Sequence, residues 1–128
     1  MDNITTLETV DDAASQIMGS DWRMPTKADF QELLNGTTNE WITNFNNTGV
    51  NGRKFTSKTD TSKYILIPAA GCCDYGSVYY VGNYGYVLSS SLRNPNPRNA
   101  EVLDLYSRNC YINDNARYIG RPVRGVRK

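Results

Sequence analysis

The 128-residue chain contains no histidine, and only three cysteines, three phenylalanines, three methionines and two tryptophans. Without histidine, neither a Ser-His-Asp nor a Cys-His nucleophile pair can be assembled. No apolar run reaches the roughly 18 residues that cross a bilayer as a helix, so no direct membrane insertion is expected. The N-terminus Met1-Asp2-Asn3-Ile4-Thr5-Thr6 lacks the basic-then-apolar order of a secretion signal. Retention where the chain is made, incorporation into a particle, and excision from a longer secreted chain all stay open. Net charge is also scarce: 14 Lys+Arg against 13 Asp+Glu leave +1. Such a field does not gather polyanions, and a nucleic-acid surface would need a denser basic patch. No nucleic-acid partner is expected.

The cysteines are odd in number, adjacent at Cys72-Cys73 and single at Cys110. A disulfide framework calls for an even count, and an adjacent pair lacks the spacer of about two residues usual between metal ligands. Free thiols are expected, with a bridge from Cys110 to one of the pair left open. No Gly-rich phosphate loop occurs, since Gly82-x-x-Gly85 has no following lysine or helix pattern. Asp104 and Asp114 are the one carboxylate pair weighed for acid–base work, and nothing around them supports it. The sequence points to no enzyme and no cofactor.

What the chain has in abundance is unevenly placed. Residues 72–118 hold eight of the nine tyrosines, seven asparagines and all three cysteines, and no Lys, Gln, Met, Phe, Trp or Thr. Residues 1–71 carry six basic and nine acidic side chains (net −3), and residues 72–128 carry eight and four (net +4). Tyrosine brings large, rigid contact area at low entropic cost, and Asn, Ser and Gly bring adaptable hydrogen bonding. The second half therefore has the composition of a contact surface. One domain over 1–128 is expected, with 1–71 as scaffold, 72–118 as binding region and 119–128 as closing strand.

Local patterns fill in the scaffold. Thr9 is placed to cap a helix in which Val10, Ala13, Ala14, Ile17 and Met18 form one apolar stripe, ended by Gly19. Thr26 and Asp29 form a capping box for a second helix with Phe30, Leu33 and Leu34 buried and Gly36 as its stop. Residues 35–52 read as loop and turn. Arg53–Ser57, Tyr64–Pro68, Tyr86–Ser90, Ala100–Leu105 and Arg121–Val126 read as strands, the second fully buried. Pro122 marks the last as an edge or a strand start. In Ala100–Leu105, Val102 and Asp104 share one face, Leu103 and Leu105 the other. Trp22, Phe30, Leu33, Leu34, Ile65, Ile67, Leu103, Leu105 and Val123 are the expected core. Two helices followed by short antiparallel strands and long loops make an α+β domain.

Several phrases recur in a known order. Asp21-Trp22-Arg23-Met24-Pro25-Thr26 leads into the second helix, and Ile67-Pro68-Ala69-Ala70-Gly71 closes a strand. Val81-Gly82-x-Tyr84-Gly85-Tyr86 runs into Ser89-Ser90-Ser91, and Arg117-Tyr118-x-Gly120-Arg121-x-Val123-Arg124 ends the chain. Over roughly residues 7–126 this resembles the Fibrobacter succinogenes major paralogous domain family, common in Bacteroidetes, with Leu88 standing where that family carries an aromatic and Pro122 where it carries a small polar residue. The resemblance implies a C-type lectin-like fold, related in layout to formylglycine-generating enzymes, whose cysteine pair Cys72-Cys73 does not reproduce. It also implies a similarity to the variable proteins of diversity-generating retroelements, in which adenine mutagenesis of Asn codons yields Asn, Tyr, Ser, Asp, Arg, Cys, Val, Gly and others but not Lys, Gln, Glu, Met or Trp. Residues 72–118 obey that palette except at Glu101.

On that resemblance the C-terminal strands and loops display one recognition face. Its candidates are Asp74, Tyr75 and Tyr79, then Asn83 and Tyr84, then Arg93, Asn94 and Asn96, then Arg108, Asn109 and Tyr111, and finally Asn113, Asp114, Asn115 and Tyr118. Segment 106–118 is expected to lie on the surface, with Tyr and Arg as anchors. Arg117 and Arg124 would pair with a carboxylate or carbonyl beneath the face. Asn94-Pro95-Asn96 and Ile112-Asn113-Asp114 imitate a lectin calcium site, yet only Asp114 is charged and calcium wants more carboxylate than that. A protein or carbohydrate ligand on a cell surface is the expected partner, with the chain extracellular, cell-surface or virion-associated. A fixed structural or adhesive domain of a surface or phage-particle assembly is the alternative.

Overall fold

The computed structural model describes residues 6–92, 98–116 and 119–127. It is mixed α and β, mostly antiparallel strands with few helices. Helix α1 (Ala13–Met18) is shorter than the apolar stripe suggests. Thr9 begins a 3-10 turn (Thr9–Asp11) instead, and the cap is Asp12, whose side chain accepts from the Ser15 N–H. Asp12 is buried and also accepts from the Met24 N–H with both oxygens, at 3.0 and 2.9 Å. That tie to the residue after β1 (Trp22–Arg23) sets where the first helix sits. Val10 and Ile17 are left 71% and 84% exposed, so the stripe reads correctly for period and wrongly for burial.

Helix α2 (Lys27–Gly36) has the expected capping box from Thr26 and Asp29. Arg23 clamps the Asp29 carboxylate from outside with two guanidinium hydrogen bonds. The contact holds the Asp29 carboxyl below the usual carboxylate range, and the Thr26 cap works in the same direction. Phe30 is buried, and Leu33 and Leu34 pack against the core.

Residues 37–42 are strand, not loop: β2 (Thr37–Ile42) pairs antiparallel with β3 (Gly52–Ser57), which pairs with β4 (Tyr64–Pro68). The polar run Thr37-Thr38-Asn39-Glu40 hides the strand because it lies on an edge and is largely exposed. The apolar run of β4 is likewise an edge strand in which only Ile67 is buried. A hairpin follows, β5 (Cys72–Asp74) with β6 (Ser77–Tyr79), and then a three-stranded sheet of β7 (Tyr84–Leu92), β8 (Asn99–Tyr106) and β9 (Cys110–Ala116) with β8 central. Segment 106–118, expected to lie on the surface, therefore contains a half-buried strand. The closing strand is only β10 (Val126–Arg127), paired with β1, and Val123 is 40% exposed rather than core.

The core lies between the two three-stranded sheets and α2. Phe30, Phe55, Ile67, Val87, Leu103 and Leu105 form its centre, with Leu33, Leu34, Trp41, Ile65, Cys110 and Ile112 packed around. Gly85 is required here: a Cβ would stand 2.4 Å from a Leu105 methyl and 2.8 Å from the Pro68 carbonyl oxygen. The triple serine stitches the N-terminal half onto β7, around a register shift between Leu88 and Leu92. Ser90 N–H donates to Pro25 O, its carbonyl accepts from Leu7 N–H, Ser91 Oγ accepts from Lys27 N–H, and Ser89 Oγ donates to Glu101 O.

Replacing Asp12 by Ala leaves the Ser15 and Met24 amides unpaired in a buried place, and hydrogen bonds to charged groups are worth about 1.5–3 kcal/mol each. Asp12→Ala is expected to lose roughly 2–4 kcal/mol in urea unfolding, whereas Val10→Ala stays within about 0.5 kcal/mol. Equal losses for the two would mean that Asp12 does not anchor the first helix.

Candidate functional site

Antiparallel register decides which side chains of the β7–β8–β9 sheet share a face. Tyr84 lies opposite Tyr106, Tyr86 opposite Asp104, and Leu88 opposite Val102. Across the other ladder, Asp104 lies opposite Tyr111, Val102 opposite Asn113, and Ala100 opposite Asn115. The alternate set, Val87, Leu103, Leu105 and Ile112, enters the core. One side of the sheet thus carries the aliphatic core residues, and the other carries Tyr, Asn and Asp together with Leu88, Val102 and Ala100.

The tyrosines of that outer face touch one another in an unbroken row. Tyr80 meets Tyr84 at 5.2 Å between ring centroids, Tyr84 meets Tyr106 at 5.7 Å and Tyr86 at 6.4 Å, and Tyr106 meets Tyr111 edge-on at 6.3 Å. Tyr79 extends the row through Tyr80 at 6.2 Å. These separations lie in the range where offset and edge-to-face pairs attract. Tyr79, Tyr80, Tyr84 and Tyr111 stay exposed at their rims, between 39% and 55%. The β5–β6 hairpin adds Tyr75 at its tip, 92% exposed and with a positive φ of 48° ahead of Gly76. Tyr80 is also held at positive φ, 65°, a conformation uncommon for a bulky residue and found where surrounding structure over-determines the chain.

The segment before β10 closes over this face. Gly120 exchanges two backbone hydrogen bonds with Cys73, and the Pro122 carbonyl accepts from Leu88 N–H. Between them Arg121 lays its guanidinium over the Tyr86 ring, 5.3 Å from the centroid, and donates to the Ala116 carbonyl. Beneath it sits Asp104, buried, its Oδ2 accepting from Asn113 Nδ2 at 3.3 Å. Burial pushes the Asp104 carboxyl above the ordinary aspartate value, against the pull of the Asn113 hydrogen bond and the Arg121 charge. Burial likewise pushes the Tyr86 phenol up to about 12.

The nominated residues fall into groups. Tyr84, Tyr111, Asn113 and Asn115 share the outer face of the sheet. Asp74, Tyr75 and Tyr79 belong to the hairpin, and exposed Asn83 lies in the turn leading into β7. Arg108 and Asn109 form the exposed β8–β9 turn. Asp114 departs from the rest: its parity is that of Glu101, on the other face, where it accepts from Asn99 Nδ2. Asp104 and Asp114 are therefore on opposite sides of one sheet and do not form a carboxylate pair. Arg93, Asn94, Asn96, Arg117 and Tyr118 lie outside the described residues, and with them the Asn94-Pro95-Asn96 half of the calcium-like pattern. Arg124 is exposed, with no pairing to a carboxylate or carbonyl among the described residues.

Five residues of the face are missing from the sequence-based candidates: Tyr80, Tyr86, Asp104, Tyr106 and Arg121. The signal for Asp104 was present in the alternation of β8, which sets it opposite Leu103 and Leu105 in facing. Arg121 had none, because its place depends on the Gly120–Cys73 bonds between distant segments. The three thiols are free, with that of Cys110 pushed up to about 11 by burial. A cleft of about 440 Å³ opens elsewhere, where Phe30, Leu33, Ile65, Ile67 and Leu103 meet Arg124, and it contains none of the nominated residues. Among the described residues no helix is long and apolar enough to cross a membrane, and no cluster of acidic or cysteine side chains is arranged to hold a metal.

A carboxyl with a raised folded pKa holds its proton more tightly folded than unfolded. Its contribution to stability therefore falls as pH rises from the ordinary aspartate value near about 4 through the folded one. Asp104→Asn removes that loss. Urea unfolding of both proteins across this range is expected to show a flatter profile for the variant and no loss of stability at neutral pH. A clear loss at neutral pH would mean that attraction to Arg121 outweighs the burial of Asp104. Set against protein-family models, curated proteins and solved structures, the chain matches none.

Proposed function

We propose that this chain is a non-enzymatic recognition module with a C-type lectin-like fold that binds a protein or glycan ligand on the outer face of the β7–β8–β9 sheet and on the adjoining hairpin. The observation that carries the reading is the continuous row of six tyrosines, Tyr79, Tyr80, Tyr84, Tyr86, Tyr106 and Tyr111, gathered on one side. A core does not account for that row, since four of the six rings are substantially exposed. Contiguous exposed aromatic area, ringed by Asn and Arg, is the make-up of binding hot spots. Tyr84 and Tyr111 are the anchors, Asn113, Asn115 and Asn83 the adaptable contacts, and Tyr75 and Tyr79 the reach of the hairpin. Such a module works in extracellular, cell-surface or virion-borne settings.

The face also suits diversification of the retroelement kind. Its outward residues are those an Asn codon reaches by adenine mutagenesis, while the alternate inward residues Leu103, Leu105 and Ile112 belong to the core. Period two lets the one set vary without touching the other.

Sequencing many natural copies of the gene from one population tests this. Substitutions are expected to cluster at outward positions such as Tyr75, Tyr84, Tyr111 and Asn113, leaving residues 1–71 and the inward set fixed. Variation spread evenly over both faces would sink the diversified reading and leave a fixed adhesive surface. In the purified protein, Tyr75→Ala is expected to stay within about 0.5 kcal/mol of wild type and Tyr84→Ala to cost about 1–2 kcal/mol through lost ring pairs. A loss of about 4 kcal/mol or more at Tyr84 would make it a core residue and remove it from the site.

A further inference from the structure

Two buried polar atoms on the tyrosine face have no hydrogen-bond partner among the described residues: Asp104 Oδ1 and Arg121 Nε. One is an acceptor and the other a donor, and their side chains lie within electrostatic range of each other and of Tyr86. Native structures satisfy nearly all such groups, so each exception asks for a reason. We propose that Asp104 and Arg121 form the specificity-determining centre of the face and that they receive the hydroxyl groups of a neutral glycan. The inference rests on the recognition reading above and narrows its ligand.

Charge is the first ground. A cationic ligand group would satisfy Asp104 and be repelled by Arg121, and an anionic group would do the reverse. A hydroxyl donates one hydrogen bond and accepts others, so it completes both atoms without adding charge. The tyrosine row is the second ground. No hydroxyl of Tyr79, Tyr80, Tyr84, Tyr86, Tyr106 or Tyr111 has a hydrogen-bond partner among the described residues. A ligand spread along this row meets neutral donor–acceptor groups at every ring, alternating with apolar ring faces. Sugars present that alternation of hydroxyl edges and C–H faces. A peptide backbone divides its neutral donor and acceptor between separate N–H and C=O groups, whereas one hydroxyl does both, which favours a glycan here.

Access is the third consideration, because both atoms are buried while Arg121 rests on Tyr86. Arg121 hangs from the 121–125 stretch, which has no strand or helix structure. Its guanidinium is held by the Ala116 carbonyl and the Tyr86 ring. Swinging it off the ring uncovers Asp104 and turns its donors to an incoming hydroxyl. Arg121 then acts as both cover and contact, and no bridging cation is required, since acceptor and donor both come from the protein.

The test is an array of immobilised neutral and charged oligosaccharides, probed in EDTA with wild type, Asp104→Asn, Arg121→Ala, Tyr84→Ala and the control Glu40→Gln on β2. Thermal melting checks that each variant is folded, and Arg121→Lys, which keeps the charge and removes Nε, replaces Arg121→Ala if that variant unfolds. Wild type is expected to retain a neutral oligosaccharide. Asp104→Asn and Arg121→Ala should each lower retention about tenfold or more, the worth of a hydrogen bond to a charged group, while Glu40→Gln does not. Retention lost in Tyr84→Ala but untouched in Asp104→Asn overturns the proposal and spares the face, leaving the two atoms bridged by a buried water. Retention insensitive to both substitutions overturns the proposal and the face together. An array on which wild type retains no neutral sugar overturns the glycan assignment and turns the search to protein ligands.

Discussion

The central strand β8 is buried on both of its faces, and the rest of the structure is arranged around that constraint. Val102, Leu103 and Leu105 have no measurable exposure and Asp104 has 7%. Leu103 and Leu105 look into the space between the sheets, where Phe55, Ile67 and Phe30 meet them. Val102 and Asp104 look the other way, and a sheet of three strands cannot cover that side by itself. The chain covers it with tyrosines from β7 and β9 and with the segment that ends in β10. The tyrosine face is thus also the lid of β8, which is why its rings pack against one another and still keep exposed rims.

That dual duty explains how the sequence could be read. Elements whose signal is local were legible: the Thr26–Asp29 capping box, the Gly19 stop, and the β8 alternation that separates Leu103 and Leu105 from Val102 and Asp104. Elements whose signal depends on a neighbour were not. β2 reads as loop because Thr37-Thr38-Asn39-Glu40 gains its pairing from β3 and leaves its side chains in solvent. The α1 stripe reads as buried because periodicity reports a face and not what covers it. Val10 and Ile17 have no element packed over them, while Asp12, polar and unremarked, is the buried anchor. Tyr84, Tyr111, Asn113 and Asn115 could be nominated from composition. Their gathering on one side, and the exclusion of Asp114 from it, required the register.

Asp104 is where the two duties conflict. A carboxylate under a lid of aromatic rings is disfavoured as an ion, and burial raises its pKa accordingly. An aliphatic residue at that position would cap β8 at lower cost, since buried charges can often be replaced by apolar groups without loss. Asn113 satisfies one oxygen and Arg121 supplies charge without a direct bond. The arrangement lowers the cost without removing it. A position held at a cost to stability, in the middle of an aromatic surface, is not explained by packing alone.

The backbone ties show why such a face can be specialised without unfolding its support. Gly71 N–H donates to the Tyr84 carbonyl, Cys73 and Gly120 exchange bonds, and Leu88 N–H donates to the Pro122 carbonyl. These bonds use no side chain of the face. At Gly71 even the backbone is closely fitted: φ is +73°, and an added Cβ would stand 2.0 Å from the Tyr79 carbonyl oxygen. The hairpin, the turn into β7 and the closing segment are therefore positioned by main-chain groups and by glycine, not by the outward side chains. Arg121 is the exception, since its guanidinium both covers Asp104 and bonds the Ala116 carbonyl. Variation at Tyr75 changes the surface alone, whereas variation at Tyr111, Arg121 or Asp104 changes the surface and its lid together.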